Sequence, residues 1–289
     1  MIGLKRAPAN AGALPRKAPA FAGALAAWLV LSPPAFAQDP PLSLHAFECG
    51  RMQQDLGRFS DTFRFRGEKR ELIAGCYLIR HPKGVLLWDA GLSPDIRAGG
   101  PGVPAGMSLG QTIPDRLKAL GLTPAQVTHV GISHHHADHS GGARDFPQAE
   151  LLIGKGDWEP LKAMKPADRP AAQLAHWLGG AGKATQLTAD KDVFGDGSVT
   201  ILTMPGHTPG HSALLVKLAS GYVLLSGDQY HFRENRAAAG VPRFNWNRAD
   251  TLASHKRFEE IAANLKARVV IQHDPRDMTE LPAFPAAMK

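Results

Sequence analysis

The chain has 289 residues, of which 44% are hydrophobic, 20% charged and 7% aromatic. That balance excludes a disordered chain, a collagen-like repeat and a polytopic membrane protein, and the length suits one large domain or two small ones. The formal charge of +7 is mostly N-terminal: residues 1–37 hold Lys5, Arg6, Arg16 and Lys17 and no acid, and the other 29 basic residues face 26 acidic ones. The remaining +3, spread over the rest of the chain, gives no clustered basic face, so no nucleic-acid partner is expected.

Residues 1–37 read as a secretory signal peptide. The four positive charges come first, Ala20 to Leu31 form a short apolar run, and Ala35-Phe36-Ala37 is a small-x-small cleavage site before Gln38. The run is well short of the roughly 20 residues that span a bilayer, so no stable membrane insertion is expected after cleavage. The expected mature chain is a single domain over 38–289, exported to the periplasm or the medium. Cys49 and Cys76 both sit in strand-like segments. An oxidising compartment permits a bridge between them, and two buried thiols fit the sequence as well.

In chain order, strand patterns run over Leu42 to Phe47, Ser60 to Arg66 and Leu72 to Ile79, with turn residues between them. Val85 to Trp88 is a buried-type strand that ends in Asp89-Ala90-Gly91. Residues 92–110 are rich in Gly and Pro and read as a long loop. The spacing of Ile113, Leu117 and Leu120 predicts a helix over Thr112 to Leu120. Thr128 to Ile132 and Leu151 to Ile153 read as strands, Gly156 to Met164 as a helix, and 165–184 as a helical excursion around Leu174 to Leu178. Val199 to Met204 is a strand. Ala213 to Leu218 and Tyr222 to Ser226 form a hairpin around Ser220-Gly221. An amphipathic helix over Thr251 to Leu265 precedes a last strand, Arg268 to Ile271. Strands interspersed with helices predict a layered α/β sandwich.

The polar clusters all fall just after apolar strands. Ser133 to His139 packs four histidines and an aspartate into seven residues, and Gly206-His207-Thr208, Gly227-Asp228 and Gln272-His273-Asp274 follow later strands. Imidazole nitrogens and carboxylate oxygens are ligand types that suit zinc. One ion cannot comfortably take four ligands from six residues of backbone, but two ions roughly 3.5–4 Å apart can share them. An isolated His-x-His reads as a surface tract; four clusters at four strand ends read as a metal site.

The order His134-x-His136-x-Asp138-His139, then His207, Asp228 and His273, resembles the metallo-β-lactamase superfamily of binuclear metallohydrolases. Trp88-Asp89-Ala90-Gly91 and Pro205-Gly206-His207-Thr208-Pro209-Gly210-His211 are similar to two further motifs of that family. The resemblance covers residues 70 to 275 and implies a four-layered αββα sandwich with the site at one edge of the two sheets. It also implies two zinc ions: one held by His134, His136 and His207, the other by Asp138, His139 and His273, with Asp228 and a hydroxide bridging them. His135 then fills a variable position, His211 matches a histidine that supports the ligands, and Asp89 is a candidate for a supporting hydrogen bond or a simple turn cap.

Among the branches, the sequence is most similar to the quorum-quenching N-acyl homoserine lactone lactonases. Gly75-Cys76-Tyr77-Leu78-Ile79 before Asp89, the Pro-Gly-His-Thr-Pro-Gly-His run and the terminal His273-Asp274 carry that likeness. It implies a small-molecule lactone or ester substrate opened by the metal-bridging hydroxide. Asp138 or Asp228 would then pass a proton to the leaving oxygen. It also implies a homodimer, although no self-complementary surface is legible. The branch usually has a tyrosine three residues after the bridging aspartate; here Tyr230 lies two residues after Asp228 and His231 three. Tyr230 is expected to stabilise the oxyanion, with His231 as the other candidate for that role, and Tyr230 as a plain packing residue stays open. Met107, Leu109, Phe232, Phe244 and Trp246 are candidates to line an acyl groove. Other hydrolases of the family, acting on β-lactams, phosphodiesters or sulfate esters, and a non-catalytic zinc-binding protein stay open as alternatives. A phosphodiesterase would call on the cluster Arg233, Arg236, Arg243 and Arg248.

Overall fold

The structure, a computed structural model, describes residues 41–99 and 103–289. The leader pattern of residues 1–37 lies outside these. Twelve strands are found among the described residues: β1 (Ser43–Asp55), β2 (Lys69–His81), β3 (Gly84–Trp88), β4 (Met107–Ser108), β5 (His129–Ile132), β6 (Glu150–Gly154), β7 (Ala184–Leu187), β8 (Lys191–Asp192), β9 (Val199–Thr203), β10 (Ser212–Leu218), β11 (Gly221–Leu225) and β12 (Arg268–Val270). They form a seven-stranded sheet in the order β4-β1-β2-β3-β5-β6-β7 and a five-stranded sheet in the order β12-β11-β10-β9-β8.

Alternation along the strands builds the layers. On β2, Tyr77 and Ile79 face the second sheet, where they pack with Leu86, Val199, Leu214 and Val223. Leu78, between them, faces the opposite way and joins Leu87, Val130, Leu117, Trp158 and Trp177, most of the last on helices. Beyond the second sheet, Leu202, Ala213 and Leu224 pack on Phe258 and Ala262 of the helix Arg248–Leu265. The order helix, sheet, sheet, helix is the expected αββα sandwich. A fully buried aliphatic side chain contributes roughly 1.5–3 kcal/mol, and a one-residue slip of β2 would exchange both faces at once, so burial fixes the register.

One expectation needs correction. Ser60 to Arg66 is not a strand: Phe63 and Phe65 both take left-handed backbone (φ 63° and 62°) and the segment turns, so β2 begins only at Lys69. The helical excursion over 165–184 is present as two short helices, Arg169–Gln173 and Ala175–Leu178, followed by β7. The first strand runs on to Asp55, through a register break between Glu48 and Arg51. Beside that break Cys49 and Cys76 are joined as a disulfide, with Cα atoms 5.9 Å apart. The turn after β3 passes tightly under it: Leu92 N–H donates to Cys49 O, and Gly91 (φ 57°) has no room for a Cβ against Cys49.

Candidate metal centre

The clustered residues arrive on the ends of adjacent strands. Ser133 to His139 follows β5, His207 lies in the β9–β10 connection, Asp228 follows β11 and His273 follows β12. The structure brings seven side chains into two groups: His134, His136, His207 and Asp228, then Asp138, His139 and His273. Within each group, one ligand atom per residue lies within 4.8 Å of the others.

Asp228 joins the groups. Its Oδ2 lies 3.2 Å from His207 Nε2 and 3.6 Å from His134 Nε2, while its Oδ1 lies 3.2 Å from His139 Nε2 and 2.9 Å from His273 Nε2. Burial opposes its charge, yet His273, His231, His139 and His134 hold the carboxyl well below the usual carboxylate range. Asp138, only partly buried, has Oδ2 3.8 Å from His273 Nε2 and 3.9 Å from His139 Nε2.

The donor set fits a pair of cations. His134 Nε2 and His136 Nδ1 stand 2.8 Å apart, His136 Nδ1 and His207 Nε2 3.2 Å, and His139 Nε2 and His273 Nε2 3.1 Å. Lone pairs facing one another at these distances repel unless a proton or a cation stands among them. The far nitrogens of two rings are already committed: His139 Nδ1–H donates to Asp89 Oδ2 at 2.9 Å and His273 Nδ1–H to Ile73 O at 2.6 Å. That leaves Nε2 of each as the lone pair turned inward, the usual arrangement for a ligating imidazole. Asp228 Oδ1, buried, has no hydrogen-bond donor of its own.

Asp89 is more than a turn cap. It sits in left-handed backbone (φ 56°) at the end of β3, which aspartate tolerates, and its carboxylate is fully buried. It accepts from Ser133 N–H at 2.6 Å and from Gln272 Nε2 at 2.9 Å as well as from His139. His211 supports Asp228: its Nδ1–H donates to Met204 O at 3.0 Å, and its Nε2 accepts the Asp228 N–H at 2.8 Å. Burial, then the neighbouring His207, push the His211 pKa down to about 3, which suits this neutral tautomer. His135 turns away from the ligands, with Nδ1 3.2 Å from Asp157.

The sequence reading missed Asp157. This buried residue of the helix Lys155–Ala163 accepts from His135 N–H at 2.9 Å, Thr208 Oγ1 at 2.9 Å and Gly210 N–H at 2.7 Å. It thereby ties the first histidine loop to the one carrying His207. No local signal marks it, because an aspartate in the first turn of a helix is ordinary there.

Tyr230 is the residue the structure places elsewhere. Its backbone is extended (φ −144°, ψ 148°), so Tyr230 and His231 point to opposite sides. Tyr230 is buried with Phe258 in the outer layer, its ring 4.4 Å from that of His255, and burial together with Glu259 pushes its hydroxyl pKa up. It does not reach the cluster. His231 does: its Nε2 is 3.1 Å from Asp228 Oδ2, its ring stacks on His273 at 5.7 Å, and neither ring nitrogen has a hydrogen-bond partner. Burial lowers its pKa to about 4 despite Asp228.

A cavity of about 470 Å³ opens over the cluster, walled by Phe59, Leu72, Met164, His231 and Phe244. Of the expected groove residues, Phe244 stands here and Met107 in a neighbouring cavity. Phe232 is instead buried among Leu56, Phe59 and Leu72, Trp246 is 68% exposed, and Leu109 lines a small crevice beside Cys49. Three of the four arginines named for a phosphodiester site are paired with carboxylates: Arg233 with Asp277 and Glu280, Arg236 with Glu259 and Arg248 with Asp61.

The sequence pattern of the metallo-beta-lactamase superfamily matches residues 71–273, the span that holds every clustered residue. The N-acyl homoserine lactonase AttM of Azorhizobium caulinodans is 30% identical over 233 residues, covering 72% of this chain and 84% of that protein. A solved quorum-quenching N-acyl homoserine lactone lactonase superposes with a TM-score of 0.73 at 24% identity, over 86% of this chain and all of that one. AidC, described as a dizinc quorum-quenching lactonase in complex with a product, superposes with a TM-score of 0.62 at 19% identity, over 85% and 89% of the two chains. With its αββα layers and its histidine-aspartate cluster at the strand ends, this chain belongs to the metallo-β-lactamase superfamily of metal-dependent hydrolases.

Proposed function

We propose that this protein opens the ring of N-acyl homoserine lactones, or of closely related lactones and esters, at a pair of divalent cations, zinc the first candidate. The observation that carries the reading is the division of Asp228, one oxygen toward His134 and His207 and the other toward His139 and His273. The names of the related proteins support the substrate class, and the description of AidC supports zinc.

His134, His136, His207 and Asp228 Oδ2 would hold one ion; Asp138, His139, His273 and Asp228 Oδ1 the other. Such a pair supplies Lewis acidity toward a carbonyl oxygen and lowers the pKa of water to near neutrality. The residues of the chain do the rest. Phe59, Leu72 and Phe244 shield the ester from bulk water. His231, whose Nε2 lies beside Asp228 and whose Nδ1 has no hydrogen-bond partner, donates a hydrogen bond to the substrate oxygen where negative charge grows, the role expected of Tyr230. Asp138, only partly buried, takes the proton of the attacking water and returns it to the leaving alkoxide. One water adds across the acyl C–O bond, and a hydroxy acid leaves.

Metal content by mass spectrometry, together with pH-stat hydrolysis of lactones of several chain lengths, tests this. Asp228→Ala should carry fewer than two ions and lose activity roughly a hundredfold or more. A wild-type protein that binds two ions and opens no lactone of any length refutes it. We also propose that the protein is exported. The leader pattern of residues 1–37 supports this, and the Cys49–Cys76 bond fits an oxidising compartment. N-terminal sequencing of mature protein should then begin at Gln38, and a cytosolic chain that keeps Met1 would contradict it.

A further inference from the structure

The cavity over the metal ligands opens sideways into a second one of about 450 Å³, and the two share Met52, Gln54, Arg58, Ala137 and Asp138. One wall of the second cavity, Leu92, Ile96 and Met107, is apolar, while Ser93, Asp95, Arg169 and Gln173 line the rest. Arg58 stands at the neck between them. Its guanidinium lies over the Phe244 ring at 4.7 Å and 5.7 Å from that of Phe59, and its Nη1 donates to Gln54 Oε1 at 3.2 Å. Aromatic stacking of this kind holds a guanidinium in place without using up its in-plane donors.

Arg51, Arg70, Arg233 and Arg276 each pair with a carboxylate. Among the described residues, none within ion-pair distance serves Arg58. A guanidinium carries five N–H donors, and Gln54 accepts from one. A cation with donors to spare, held at the passage from the cavity over the histidine-aspartate cluster to one with an apolar wall, suits an acceptor oxygen midway along a ligand.

We propose that Arg58 recognises the amide carbonyl of the bound substrate. This rests on the lactonase reading above. With the ring at the metal ligands and the acyl chain lying along Leu92, Ile96 and Met107, the amide that joins them passes the neck. Arg58 then selects lactones with a carbonyl beside the ring over lactones whose alkyl chain is attached directly.

The test compares N-hexanoyl homoserine lactone with γ-decalactone, which has an alkyl tail and no amide, on wild type, Arg58→Met and Arg58→Lys. Methionine keeps a straight side chain against Phe244 and removes every donor. The ratio of kcat/KM for the amide substrate to that for γ-decalactone should fall about tenfold in Arg58→Met, chiefly through KM, and recover in part in Arg58→Lys. An unchanged ratio, whether both substrates suffer equally or neither does, overturns the proposal. A wild type that opens γ-decalactone but not the amide substrate overturns it too. A wild type that opens neither brings down the lactonase reading itself, a result distinguishable because no variant is needed to see it.

Discussion

Replacing Asp157 by alanine should damage the site without touching a ligand. The carboxylate is buried and accepts three hydrogen bonds, from His135 N–H, Thr208 Oγ1 and Gly210 N–H, at 2.7–2.9 Å. Burial opposes its charge, but His135, then Gly210 and Thr208, still hold its pKa below the usual carboxylate value. Alanine leaves all three donors without a partner. A buried donor left unpaired costs roughly 1–3 kcal/mol. His135 borders the cavity and can be rehydrated in part, so the sum should be about 3–5 kcal/mol. In a domain of this size that corresponds to a fall in Tm of roughly 6–20 °C. Because the bonds tie the His134–His136 loop to the His207 loop, affinity for the ion held by those residues should drop about 10–100-fold. Thermal unfolding and competition with a chromogenic chelator measure the two effects. Asp157→Asn, which keeps the shape and one acceptor, should show a smaller loss of each kind. A Tm within 2 °C of wild type together with unchanged metal affinity would refute the bracing role.

Two further outcomes follow from particular contacts. Tyr230→Phe should change kcat/KM less than twofold while lowering stability by about 0.5–1.5 kcal/mol, since its side chain packs in the outer layer near Glu259 and away from the histidine-aspartate cluster; a loss of activity above tenfold would return Tyr230 to the mechanism. Removing the disulfide as Cys49→Ser with Cys76→Ser reopens a loop of 27-residue separation, which the chain-entropy relation puts at about 3.5 kcal/mol. Urea unfolding reads this directly, and a change below about 1 kcal/mol would contradict the staple role.

The sequence made the histidine-aspartate cluster legible because each part follows a strand that is apolar enough to recognise, and because metal-binding chemistry restricts the residue types. It made the layers legible through period-two alternation on segments such as Leu72 to Ile79. It did less well where tertiary contacts decide. Ser60 to Arg66 has strand-like residues, yet Phe63 and Phe65 turn it with left-handed backbone. β7 and β8 are too short to show a period. Tyr230 matched a functional residue type one position early, and only the extended backbone there shows that this single step sends it to the opposite face. Asp157 and Arg58 carry no local signature, since what distinguishes them is which distant groups they meet.

Two buried carboxylates divide the support of the site between them. Asp89 collects Ser133 N–H, His139 Nδ1–H and the Gln272 amide, so it links the ends of β3, β5 and β12 and sets the His139 and His273 side. Asp157 links the start of the histidine loop to the β9–β10 connection and sets the His134, His136 and His207 side. The ligand groups share the Asp228 carboxylate and the short Ser133–His139 segment, but their braces come from different strands and a different helix. Two ions held there would therefore differ in affinity, each responding to its own brace, and the damage from Asp157→Ala should fall first on an ion whose histidines it orients.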